Sequence, residues 1–206
     1  ERQYTNALVA HPESARARFQ LAETLLELDR NKQALSLIEN ALELQPGSRV
    51  GRLLLARAQG WDAARKTLAA LQAEYPDDHN IRHSFGLHLA LHEPEVALAH
   101  LSLDDWDSAL TRCGCLRVLE RLEEAVLAAE AATELAPERL EVWLALGWSA
   151  LEAGDTERAS AAFDGALGCE ASDAEALAGK VAALEAVGKP TDELRRLLAD
   201  TEPEFA

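Results

Sequence analysis

The chain has 206 residues, 48% of them hydrophobic and 27% charged, which is enough apolar material to bury a continuous core. A net charge of −16 leaves no basic stripe for a phosphate backbone, so nucleic acid is excluded as a partner; no apolar run reaches the roughly 20 residues of a membrane span. The acidity is uneven: residues 1–103 carry 13 acids against 11 bases, and residues 104–206 carry 23 against 9.

Leu and Ala dominate while β-branched and aromatic residues are sparse, so intrinsic propensity predicts an all-α chain. Residues 1–12 hold the phrase Tyr4-x-x-Ala7-Leu8 closed by Pro12. The phrase returns as Ile38-x-x-Ala41-Leu42-x-Leu44-x-Pro46, and Pro46 stands 34 residues after Pro12. It recurs as Leu68-x-x-Leu71 ending at Pro76, and as Ala125-x-x-x-Ala129-x-x-Ala132 ending at Pro137. A second phrase, an apolar residue followed by a small one, appears at Leu21-Ala22, Leu55-Ala56, Phe85-Gly86, Cys113-Gly114, Leu146-Gly147 and Ala178-Gly179. Two helices per repeat, about six times over, predict a solenoid with a single domain over 13–200. Residues 1–12 read as the second half of a truncated repeat, and with no methionine anywhere the chain is expected to be a fragment.

The repeats are expected near 12–46, 47–76, 77–103, 104–137, 138–171 and 172–200. Pro46, Pro76 and Pro137 end helices and force the turn to the next repeat. Asp29-Arg30-Asn31 and Gly154-Asp155 are turns inside repeats. Two repeats are short. In the second, Ala64 follows Ala56 by eight residues where the first takes twelve from Ala22 to Ala34, so about one helical turn of 3.6 residues is missing. In the third, Pro94 opens a short helix expected over 95–103, before Asp104-Asp105 cap the next. Gly188-Lys189-Pro190 stop the last repeat, a charged capping helix follows over 191–200, and 201–206 are expected to be a disordered tail.

Trp143-x-x-Leu146-Gly147, followed by Ala159, Phe163 and Ala166, resembles the tetratricopeptide repeat, as does the pattern of the whole chain. The resemblance implies a right-handed α-solenoid of antiparallel helix-turn-helix repeats, and the Ala-, Leu- and Arg-rich usage resembles that of bacterial proteins. It also implies a concave groove lined by places two, five, nine, twelve and thirteen of each first helix. At places five and nine those residues are Phe19 and Glu23, then Leu53 and Arg57, then His83 and Leu87. They continue as Leu144 and Trp148, with Lys180 in the last repeat and, in the fourth, Thr111, Cys115, Val118 and Leu119. Family members that clamp a terminal carboxylate set Lys, Asn and Arg together at these places; here Arg57 is the one such residue, and the clamp is absent. An apolar groove suits an extended peptide or the apolar face of an amphipathic helix, and Trp148, outside the usual core slots, is expected to touch the ligand.

The remaining chemistry is thin. His79 and His83 share a helix face, as do His88 and His92, but the pairs point to opposite sides, so they read as surface or groove histidines and no metal is assigned. Cys113 and Cys115 point about 200° apart and read as small packing residues. No phosphate loop, nucleophile elbow or His-Glu-x-x-His appears, so neither catalysis nor a cofactor is expected. The function read here is a protein-interaction scaffold, in the cytoplasm or periplasm. The alternatives are the recognition arm of a larger transferase and a self-assembling scaffold.

Overall fold

The first helix of a repeat starts where a short polar side chain can satisfy an amide that the helix itself leaves unpaired. In the computed structural model, which describes residues 2–201, the Ala17 amide donates to Ser14 Oγ at 3.2 Å and the Gly51 amide to Ser48 Oγ at 3.1 Å. Asp78, Asp105 and Asp173 accept in the same way from Ile81, Ser108 and Ala176, at 3.2, 2.8 and 2.7 Å. Among the described residues there are 13 helices and no strand. None is long and apolar enough to cross a membrane.

The helices are α1 Arg2–Ala10, α2 Ala15–Glu27, α3 Asn31–Leu44, α4 Arg49–Ala58, α5 Trp61–Glu74 and α6 His79–Ala90. They continue as α7 Pro94–Ala97, α8 Trp106–Val118, α9 Leu122–Leu135, α10 Leu140–Glu152, α11 Thr156–Cys169, α12 Ala174–Ala186 and α13 Asp192–Thr201. Hairpins form from α2/α3, α4/α5, α8/α9 and α10/α11, while α1 packs on α2 and α13 on α12. Two compact bodies result, one running to Leu89 and one from Ala90, where the sequence predicts one domain over 13–200. The tail expected over 201–206 lies, from residue 202 on, outside the described residues.

Four of the turns between consecutive helices share one construction. A left-handed residue follows the first helix: Asp29 (φ 55°), Glu120 (φ 57°), Gly154 (φ 82°) and Gly188 (φ 70°). The next amide closes back on the helix, Arg30 to Leu25 O, Arg121 to Leu116 O, Asp155 to Ala150 O and Lys189 to Leu184 O, at 2.8–3.0 Å. Glu120, Gly154 and Gly188 stand 34 residues apart. Glu120 therefore holds, without glycine's freedom, the conformation that Gly154 and Gly188 hold in the two corresponding turns after it. Glu120→Gly is expected to stabilise the chain by about 0.5–1 kcal/mol, read from the urea midpoint, the relief of the left-handed strain exceeding glycine's entropy cost.

Two short elements differ from the regular plan. Helix α4 has 10 residues against 13 in α2, and Gln59 and Gly60 after it are extended rather than left-handed. That is the missing turn read from the sequence. Helix α7 ends at Ala97, not at 103, because Arg112 Nη1 on α8 donates to the carbonyls of Leu98 (2.8 Å) and Leu101 (3.3 Å), satisfying them outside a helix. Leu101 is buried beneath this turn.

The core of the C-terminal body is organised around Phe163 on α11, which is fully buried. A Cβ placed on Gly147 of α10 would lie 2.6 Å from its ring, and one on Gly179 of α12 would lie 2.3 Å from it. Both helices approach α11 so closely because neither carries a side chain there. Trp143 is seated the same way against Gly165, and its indole N–H donates to Pro137 O at 2.8 Å.

Candidate functional site

Counting from the capping residues fixes which side chains share a face. Eight residues past Ser14, Ser48, Asp78 and Arg139 stand Ala22, Ala56, Gly86 and Gly147, so in these repeats places five and nine fall where the sequence puts them. The fourth and sixth repeats differ. From Asp105 the eighth residue is Cys113, so place nine is the exposed Gly114; Cys115 is buried, its thiol pointing to Ala90 O at 3.9 Å. From Asp173 the eighth is Val181, so Lys180 stands two residues short of place nine. It pairs with Asp164 of α11 instead of facing along the first helices.

The remaining predicted residues gather in groups. Phe19 is 7% exposed and belongs to the core with Ala22, Leu25 and Ile38. Gly51 has no side chain to hold its ring out, and a Cβ there would lie 2.4 Å from Phe19 Cζ. Its edge and the exposed Glu23 border a hollow of about 410 Å³ between α2 and α4, shared with Arg16, Val50 and Leu54. Trp148, expected to face the ligand, is half-buried: its ring stands edge-on to Phe163 (centroids 5.2 Å apart, 74°) and its N–H donates to Glu175 Oε1 at 2.8 Å. Leu144 packs on the same core. The ring of His83 stacks on that of His79, centroids 6.2 Å apart.

Leu53, Arg57 and Leu87 meet around one open cavity of about 310 Å³, between α4, α5 and α6, together with Ala56, Leu68 and Ser84. His88 forms a further wall. Its ring stacks on Trp61, the first residue of α5, with centroids 4.3 Å apart at 17°, and its Nε2 lies 3.2 Å from Trp61 O. A carbonyl only accepts, so this bond places the proton on Nε2. The stack was not foreseen in the sequence. The signal available there was the shortened turn, which brings Trp61 to the start of α5. Arg57 is exposed and has no acidic partner among the described residues, unlike Arg49 and Arg52, which pair with Asp78 (2.6 Å) and Glu74 (2.5 Å).

Among the described residues no group of three His, Cys, Asp or Glu side chains could hold a metal. Cys113 Sγ lies 3.1 Å from Ser149 Oγ in the core, and burial pushes the thiols of Cys113 and Cys115 up, keeping them protonated. Of the three cysteines only Cys169 is exposed. Iodoacetamide at about pH 8 is therefore expected to label Cys169 alone in the native protein and all three in urea, as intact mass would show; native labelling of Cys113 would mean that this core opens.

A stack of helical hairpins with small residues at the helix crossings defines a helical-repeat protein of the solenoid class. Models of the tetratricopeptide repeat match residues 1–58, 49–78 and 116–176, and the chain belongs to the tetratricopeptide-repeat family. The structure of PilW, a type IV pilus biogenesis factor, superposes with a TM-score of 0.78 at 19% identity, over 93% of each chain. YrrB, a tetratricopeptide-repeat protein with an unusual peptide-binding site, gives a TM-score of 0.62 at 20% identity, over 86% of this chain and 97% of its own. MamA gives 0.64 at 14% identity, over 70% and 88%. At these identities the likeness is one of fold. No curated protein sequence matches the chain. Family membership carries a general role, that of a protein-interaction scaffold.

Proposed function

We propose that the N-terminal body captures a peptide or amphipathic helix of a partner protein along the faces of α2, α4 and α6, and that the chain acts by binding, without a chemical step of its own. The observation that carries this is the convergence of Leu53, Arg57 and Leu87 on one open apolar cavity. At about 310 Å³ it stands at the lower end of the sizes that bury a ligand group. An apolar hollow left facing water is a cost unless something fills it. Membership of a family built for protein contacts supports the same reading.

The test is affinity capture from lysate of the source organism with the parent chain and two variants. Leu87→Asp puts a charge into the cavity, and Leu127→Asp changes an exposed leucine on α9. A protein held by the parent and by Leu127→Asp but lost from Leu87→Asp is the expected result. Equal capture by all three would overturn the proposal.

A further inference from the structure

We infer that the segment captured by the N-terminal body is acidic and carries two large apolar side chains three residues apart, one for each of the hollows flanking α4. The inference rests on the reading above and deepens it. Helix α4 divides two apolar depressions: Leu53 and Ala56 face the cavity toward α5 and α6, while Val50 and Leu54 face the hollow toward α2. Neighbouring packed helices lie about 8–10 Å apart. An extended polyproline-type chain advances about 3.1 Å per residue with three residues per turn, so residues three apart point the same way about 9 Å from one another. One side chain over each side of α4 matches that spacing.

The charge follows from which arginines already have partners. Arg49 and Arg52 of α4 are paired with Asp78 and Glu74. Arg57, further along the same helix at the rim of the cavity, and Arg16, at the rim of the α2–α4 hollow, are exposed and have no acidic partner among the described residues. Glu23 offsets Arg16 at its own hollow, whereas no acid lines the cavity beside Arg57. The acidic residue of the partner therefore stands next to the side chain that enters the α4–α5–α6 cavity. It is a side-chain carboxylate within the segment and not a chain end, because the chain continues over α4 to fill the second hollow.

Random dodecapeptides displayed at the N-terminus of a phage coat protein, where no peptide has a free carboxyl end, would be panned on the full chain. The expected consensus is two large apolar residues three apart with Asp or Glu beside one of them. The synthetic consensus peptide, blocked at both ends, should bind Arg57→Glu at least about tenfold more weakly than the parent and Arg57→Lys nearly as well. Thermal melting of each variant at the parent's midpoint shows that the fold is kept. Peptides that are neutral or basic, that lack the spacing, or that ignore Arg57→Glu while failing on Leu87→Asp overturn this inference and leave peptide capture standing. Enrichment of nothing, or only of peptides indifferent to both variants, overturns both.

Discussion

Phe163→Ala is expected to remove about 3–5 kcal/mol of stability, the range for deleting a fully buried phenylalanine whose surroundings cannot collapse. Collapse is blocked here by backbone: the ring is held between Gly147 of α10 and Gly179 of α12, and neither glycine has a side chain that could swing into the space. The edge-on contact to Trp148 goes with it. Differential scanning calorimetry should place the melting midpoint about 10 °C lower, at roughly 2–4 °C per kcal/mol for a chain of this size. Tryptophan emission should shift to the red as Trp148 gains water. A loss below about 1 kcal/mol would mean that the helices close over the gap and that the packing of α10 and α12 on α11 is set elsewhere.

Two chemically identical substitutions should move stability in opposite directions. Gly114→Ala lies within α8, where an added Cβ meets nothing within 4 Å, so it should stabilise by about 0.8–1 kcal/mol through helix propensity alone. Gly179→Ala lies within α12, where the same Cβ would stand 2.3 Å from the Phe163 ring. The ring atoms that this Cβ would strike also lie against Gly147, which leaves the ring little room to move, and overpacking of about 1–3 kcal/mol outweighs the propensity gain. The propensity gain is common to both, so the spread between the two, read from the urea midpoints, should equal the overpacking, about 1–3 kcal/mol. If both stabilise alike, Phe163 has room to turn and the glycines do not set the helix approach.

These glycines also mark where the sequence could be read and where it could not. The pairing of Gly147 with Phe163 was legible because the family's pattern names both places, and the turn at Gly154 because glycine alone adopts a left-handed backbone without strain. The repeats of α8 and α12 were misregistered for a related reason. Gly114 and Gly179 look like the small residue at the helix crossing. In fact Cys113 fills that place in α8, with Gly114 open to solvent, and Gly179 is small to admit a ring from the preceding hairpin. Asp105 and Asp173 held the correct register, since a cap counts along its own helix whereas a glycine reports on whatever lies opposite. Phe19 presents only its edge to the hollow because Gly51, 32 residues on, leaves room for its ring in the core, a pairing that periodicity does not encode. Of the cavity beside Arg57, the repeat count discloses Leu53, Arg57 and Leu87 but neither Leu68 of α5 nor the stack of His88 on Trp61, which depend on how a third helix sits beside the other two.

The shortness of α4 has a further reach. Each first helix keeps its own count from its own cap, so the turn missing from α4 shifts nothing downstream: Gly86 still stands eight residues past Asp78. The loss is a local edit rather than a frameshift, and it can be reversed by lengthening one hairpin. Four residues inserted after Gln59 would restore a full-length turn and move Trp61 away from His88, reshaping the cavity without substituting any residue that lines it. The shape of that cavity is thus set by the length of one helix as much as by the identity of its side chains.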